Sequence, residues 1–336
     1  MRATTKLKEA IKRQPHLFAV AKAAHRVVRE PRAAARHYAN RAKMQRDLRR
    51  VLRAYRSLAF AGVAANVHRA PDTHMAVVLH LYYPEAWELF AAKLRLLKAY
   101  PFDLFVTLPV AHRDFAATIK RDFPAAYVFV VPNRGRDVLP FIEVAKVLEK
   151  AGYTYLLKMH SKKSTHRTDG GDWLSDLAGK LVPENPAVLD SVIAALKKPK
   201  TGIIGPEEHY LSLPVNFEAN QGHMHEILSK VYSPGTSLKV LGSRTDYGFF
   251  AGTMFWARLD ALAPILHQNY GPRQFEGEAG QIDGTFAHAL ERVFCLSAEI
   301  DRKDLYEVNQ TALAKLKTYQ TDNIPDWSDV YIGPKE

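Results

Sequence analysis

The chain has one cysteine, Cys295, among 336 residues. That excludes an intrachain disulfide framework and fits a reducing compartment. Cys295 lies in the apolar run Val293-Phe294-Cys295-Leu296, where a buried, inert thiol is expected. No C-x-x-C and no clustered Cys/His spacing points to zinc. No apolar run approaches the ~20 residues that a spanning helix needs. The longest, Leu58 to Val67, is short and alanine-rich. No apolar stretch follows the early basic residues, so a secretory leader is not expected. Acidic residues are scarce at the start: residues 1–70 hold 18 Lys/Arg against 3 Asp/Glu, a net of +15. The whole chain carries +12, so the remainder sums to −3. The basic character therefore belongs to an N-terminal arm, expected over residues 1–72, and not to the body.

Within that arm, Met44, Leu48, Val51, Leu52, Tyr55 and Leu58 recur at helical spacing, with Arg46, Arg49, Arg50, Arg53 and Arg56 between them. Pro15 and Pro31 punctuate earlier, weaker segments. A basic amphipathic helix suits an anionic membrane surface. It equally suits a helix that packs its apolar stripe on the body and leaves its arginines solvated. Nucleic acid is a weaker reading, because no zinc-finger, cold-shock or RNP pattern accompanies the charge.

The composition shifts at Pro71-Asp72-Thr73. Met75 to Leu81, Phe102 to Leu108, Tyr127 to Val131 and Tyr153 to Met159 then read as buried strands. Glu85 to Leu97, Arg113 to Phe123 and a periodic segment from Val138 read as helices between them. Such alternation predicts an α/β fold with a mainly parallel sheet and right-handed crossovers. Further on, Gly202 to Gly205 and Phe249 to Ala257 read as strands, the second with a Gly-Thr pair inside it. Phe275 to Asp283 reads as a loop and Gly284 to Val293 as a helix. The body is expected over 73–300, and 301–336 as a polar tail.

The sheet lacks G-x-G-x-x-G, G-x-x-x-x-G-K-[ST] and G-x-S-x-G. Dinucleotide oxidoreductases, P-loop phosphotransferases and α/β-hydrolases thereby lose their usual signatures. Yet polar clusters follow two strands. Asn133-Arg134-Gly135-Arg136-Asp137 follows the third, and His160-Ser161-Lys162-Lys163 the fourth. Ligands of open α/β sheets bind beyond the carboxyl ends of the strands. Arg134, Arg136, Lys158, His160 and Lys162 form a cationic set suited to a diphosphate. Gly135 allows a turn with positive φ. Asp137 suits a ribose or base contact, or a helix cap. A sheet that binds a nucleotide diphosphate without a glycine loop fits nucleotide-sugar glycosyltransferases of the GT-A type.

The motifs Asn133 to Pro140, Lys158 to Lys163, Gly252 to Trp256 and Gly280 to Arg292 span roughly residues 75–300. On these the chain resembles the rhamnan synthesis F proteins of bacterial cell-surface polysaccharide assembly. The resemblance implies a GT-A-like, Rossmann-like glycosyltransferase, typically moving L-rhamnose from dTDP-L-rhamnose. A growing glycan on a lipid diphosphate carrier would be the acceptor. The implied location is the cytoplasmic, inner face of the bacterial cell membrane, held peripherally through the basic arm. An inverting transferase needs a carboxylate to take the acceptor proton. Asp283 is the first candidate, at a helix start where it also suits an N-cap. Glu276 and Glu278 come next. Asn133, Arg134, Gly135, Arg136, Asp137, Lys158, His160, Ser161 and Lys162 are candidates for the donor. Asp172, Trp173, Gly252, Thr253 and His288 are candidates for the acceptor. Glu291 is expected to pair with a neighbouring base. His160-Ser161-Lys162 stands where the GT-A metal motif would stand, so transfer without a divalent metal and without any other cofactor is expected. The rival readings are a non-catalytic scaffold that keeps this fold and an RNA-associated protein using its arm.

Overall fold

The apolar run Met75–His80 is buried along its whole length and forms the first strand, β1. It is flanked by Phe102–Pro109 (β2) and Tyr155–His160 (β4), both parallel to it, and β2 carries Tyr127–Val131 (β3) on its far side. The four strands predicted from their apolar runs are thus all present. We examined a computed structural model that describes Lys43 and residues 45–53, 60–161, 170–214, 217–243 and 247–316, with the backbone alone for 170–172.

The chain divides into two units, Met1–Arg53 and Ala54–Glu336. In the first, residues 45–53 are helical, as the spacing of Leu48, Val51 and Leu52 requires. Met44, Tyr55 and Leu58 lie outside the described residues. The second unit begins within the stretch expected as the arm. Phe60–Ala65 (α1) sets Phe60 on Phe129 of β3, with ring centroids 4.6 Å apart. The last turns of the expected arm therefore belong to the body, because their alanines and phenylalanine cover the edge strand.

The remaining elements follow in order. They are Trp87–Leu96 (α2), Ala116–Asp122 (α3), Val138–Ala151 (α4), Gly170–Leu181 (α5), Pro186–Leu196 (α6), Thr201–Pro206 (β5) and Tyr210–Ser212 (β6). Then come Gln221–Val231 (α7), Pro234–Gly242 (α8), Gly248–Phe250 (β7), Phe255–Arg258 (β8), Leu259–Leu266 (α9), Phe286–Ile300 (α10), Asp304–Val308 (β9) and Leu313–Lys315 (β10). Among the described residues the main sheet has eight strands, in the order β10-β9-β5-β8-β4-β1-β2-β3. Only β8, between β4 and β5, and the edge strand β10 run antiparallel to their neighbours. One face buries Phe141 of α4, Phe255 of β8 and Phe294 of α10. The other buries Trp87 of α2, Leu177 of α5 and Trp256 of β8. This is the GT-A-like, Rossmann-type α/β architecture that the resemblance implied.

Two expectations fail here. Phe249 to Ala257 is not one strand. It breaks at Gly252 (φ 82°) and Thr253 (φ 48°) into β7, which pairs with β6 in a small second sheet, and β8, which enters the main sheet. Two successive left-handed residues cannot continue a strand. Nor is 301–336 a featureless tail. Asp304–Val308 buries Leu305 and Val308 and extends the sheet in parallel beside β5. Its two apolar residues among polar ones leave no alternation long enough to read in the sequence.

Candidate active site

The sheet carries Lys158 into the interior between Leu157 and Met159, where its side chain is 1% exposed. A lysine there needs a counter-charge, since an unpaired buried ion is severely penalised. Asp137 supplies it. Lys158 Nζ lies 2.6 Å from Asp137 Oδ2 and donates at 2.6 Å to the carbonyl of Thr253. The Thr253 hydroxyl donates to the same Asp137 oxygen at 2.8 Å. Burial by itself would raise the Asp137 carboxyl. The Lys158 ammonium, His160 and the two hydrogen bonds outweigh it and hold the carboxyl well below the usual range. Asp137 does precede α4, but its side chain makes no cap bond there. The expected cap is replaced by the ion pair.

One residue back, the Gly252 carbonyl accepts from His160 Nε2, and the Gly252 N–H donates to Glu291 Oε1 at 2.8 Å. The break between β7 and β8 is thus pinned from β4, α4 and α10 at once. That accounts for a β-branched residue held at positive φ. Gly252 is required for a further reason: a Cβ there would sit 2.7 Å from the Trp173 ring. The indole lies against the turn and, on its other side, 6.0 Å from the His209 ring. On the neighbouring strand ends, His80 and Thr107 share a 2.8 Å hydrogen bond, and Ser161 accepts from the N–H of Tyr83 at 2.7 Å.

A second cluster lies on the loop before α10. Gly135 and Arg136 turn with φ of 70° and 57°. Arg136 donates its N–H to Glu278 Oε1 at 3.0 Å and its guanidinium to the Gln281 carbonyl. Arg134 donates to the Pro272 carbonyl at 3.2 Å. Both arginines expected on the donor phosphates therefore clasp the loop. Asn133 is exposed beside them. Glu276 accepts from the N–H of Phe286 at 3.0 Å, at the start of α10, and faces His223 at 3.2 Å. Asp283 is not the helix cap. Thr285 fills that position, in a reciprocal box with His288. Asp283 instead accepts from Asn220 at 3.0 Å and from Arg292 at 3.1 and 3.3 Å. His288 Nδ1 lies 3.9 Å from Asp283 Oδ1.

The structure thus merges part of the expected donor set (Asp137, Lys158, His160) with part of the acceptor set (Trp173, Gly252, Thr253). It places Asp283, Glu276 and Glu278 on the adjoining loop, with Arg134 and Arg136 reaching that segment from the turn before α4. Lys162 and the Asp172 side chain lie outside the described residues. Glu291 was expected to pair with a neighbouring base; Arg292 stands 3.8 Å from its Oε2, and its short bond is from the Gly252 N–H. Burial lifts the Glu291 carboxyl to about 7, with Arg292 acting against the rise and Asp137 adding to it. Sequence reading gave this residue a pairing role and missed its contact with Gly252. Its signal is a charge at the start of a long apolar helix, but its partner lies 39 residues earlier.

Over residues 57–302 the chain matches the family described as rhamnan synthesis protein F. It belongs to the rhamnan synthesis protein F family. Every site residue just described falls inside that span. Curated relatives, called uncharacterized protein WxcX, come from two strains of Xanthomonas campestris pv. campestris. Each is 33% identical over 253 residues, covering 72% of this chain and 35% of the relative. The chain therefore spans about a third of the length of those relatives. The family takes its description from rhamnan synthesis. Among the described residues no helix is long and apolar enough to cross a membrane.

Proposed function

We propose that this chain is a glycosyltransferase that moves a sugar from a nucleotide donor to a growing cell-surface glycan on a lipid carrier. L-Rhamnose from dTDP-L-rhamnose is the donor the family favours. One observation carries the reading. At the carboxyl ends of the strands, where ligands of open α/β sheets bind, β4 and the β7–β8 break are locked together by Lys158, Asp137, His160 and Thr253. A GT-A-like sheet with such a frame offers fixed backbone beside the donor and a flat indole face, Trp173, for a sugar ring. In this reading Lys162 is assigned to the diphosphate, Lys158 holds Asp137, and Arg136 holds the loop before α10.

The transfer is read as a single inverting displacement without a divalent metal. Its support is the sequence after β4, where His160-Ser161-Lys162 replaces an acidic pair. Lysine is a poor metal ligand, but its charge stabilises a leaving diphosphate. The basic arm, most of it outside the described residues, is assigned to the anionic inner face of the bacterial cell membrane.

A transfer assay with a panel of nucleotide sugars and a lipid-linked acceptor tests this. Sugar transfer that persists in excess chelator is expected. Activity that vanishes with chelator and returns with magnesium or manganese would overturn the metal-independent part. No transfer from any donor, with or without metal, would favour the scaffold reading.

A further inference from the structure

Beside Asp137, which is spent on Lys158, four carboxylates lie near the site, and they are not equally available. Asp283 has both oxygens on Arg292 and one also on Asn220. Glu276 caps the first N–H of α10 and meets His223. Glu278 holds the N–H of Arg136. Asp283 and Glu276 would have to give up partners on both oxygens before they could take a proton, and Glu278, with Oε1 alone engaged, stands on the loop rather than beside the Gly252 turn. Glu291 differs. Its Oε1 is oriented by the Gly252 N–H, while Oε2 has no hydrogen bond among the described residues. Its nearest cation, Arg292, stands 3.8 Å away with its guanidinium committed to Asp283 and to the His288 carbonyl. The Glu291 side chain retains 15% exposure. It abuts the Gly252 turn against which Trp173 lies.

We propose that Glu291, through Oε2, accepts the proton of the acceptor hydroxyl. The hydroxyl oxygen forms the new bond to the anomeric carbon. The bond from that carbon to the donor diphosphate breaks, and its electron pair leaves with the diphosphate. The proton passes to Glu291. This rests on the glycosyltransferase reading above and names the base that reading requires. A carboxyl lifted to about 7 by burial is basic enough to help and still substantially ionised near neutrality. The charged or titratable groups that face it are Arg292 and Cys295 on α10, Asp137 before α4, and Lys158 on β4. His160 bonds the carbonyl of the same Gly252 whose N–H is held by Glu291.

The test compares the purified full chain with Glu291→Gln and Asp283→Asn. Glutamine keeps an oxygen for the Gly252 N–H, so the fold should survive. Turnover of Glu291→Gln should fall by ~10²–10⁴, with binding of the nucleoside diphosphate, read by calorimetry, unchanged. The wild-type kcat/KM should decline as pH falls below about 7, since the protonated base is inactive. Asp283→Asn should lower turnover and keep that acid limb. A folded Glu291→Gln with turnover within threefold of wild type overturns the proposal, as does a wild type without the limb. Should Glu291→Gln not fold, Glu291→Asp withdraws the carboxylate by one methylene. It should lower kcat, and an unaltered kcat overturns the proposal. An active wild type with an unaffected variant sinks this inference alone. A wild type inactive with every nucleotide sugar sinks the glycosyltransferase reading with it.

Discussion

The frame at the β7–β8 break and the loop from Phe275 to Gly284 adjoin one another, and they are held by opposite means. In the frame, an ion pair and three hydrogen bonds converge on two residues with left-handed backbones, and Lys158 and Thr253 are almost wholly buried. The loop has its own left-handed glycines, Gly280 and Gly284, and an isoleucine, Ile282, that is 69% exposed. Its contacts with the preceding turn go mostly to backbone carbonyls, through Arg134 and Arg136. Buried charge fixes one geometry because every alternative leaves an ion unpaired. The part-buried Arg136 contacts hold a position that solvent can replace more readily than a buried ion pair. The frame therefore has the properties of a fixed wall, and the loop those of a segment that can yield.

The largest expected effect breaks the frame. Lys158→Met leaves Asp137 buried without its cation and should cost roughly 3–5 kcal/mol in denaturant unfolding. Adding Asp137→Leu should recover part of that. In the wild type the Asp137 contribution is present above the pKa of an unfolded carboxyl, about 4. It is lost as pH falls through the depressed folded value. A cost under ~1 kcal/mol for Lys158→Met, the range of an exposed pair, would erase the distinction between frame and loop.

Gly135→Ala strikes where the two regions meet. A Cβ at Gly135 would lie 2.6 Å from Leu139 Cβ and 2.8 Å from the Phe275 ring, on a backbone at φ 70°. Left-handed strain and overpacking together should cost roughly 2–4 kcal/mol, read as a lower melting temperature.

Glu291→Gln should have the opposite sign. A folded pKa of about 7 means that the native state binds the proton more tightly than the unfolded chain does. Wild-type stability from this group therefore falls as pH rises from about 4.5 to about 7. Glutamine does not ionise, so the variant should be more stable than wild type by roughly 2–3 kcal/mol at pH 8. The gap should close toward pH 5. Greater stability with lost turnover is the pattern of a strained working group. A variant less stable than wild type at pH 8 would make Glu291 an ordinary structural anchor.

On the loop the effects shrink. Asp283 is 35% exposed, so Asp283→Asn should cost about 1 kcal/mol by weakening one charge-assisted contact with Arg292. Ile282→Ser should stay within about 0.5 kcal/mol. A loop substitution that matched Lys158→Met in cost would show that the loop, too, is part of the fixed wall.

The sequence alone determined the layered architecture. β1 to β4 are continuous apolar runs separated by helical periodicity, and a strand covered on both faces has no other composition available. It also placed the polar clusters correctly, because the residues that end a strand are adjacent to it in the chain. It missed β9, because a five-residue strand with so few apolar positions has almost no period to read, and it merged β7 with β8. Phe249 to Ala257 is apolar throughout, although its backbone reverses at Gly252. Lys158 inside Tyr155-Leu-Leu-Lys-Met announced a buried charge, but not its partner 21 residues earlier. Only the tertiary structure decided which charges neutralise each other and which stay available. Asp137 spends its charge on Lys158, Asp283 on Arg292, and Glu291 keeps one oxygen open. A residue type states what a side chain can do. Its pKa and its vacant lone pairs depend on neighbours that the fold brings from distant parts of the chain, and on the water it excludes.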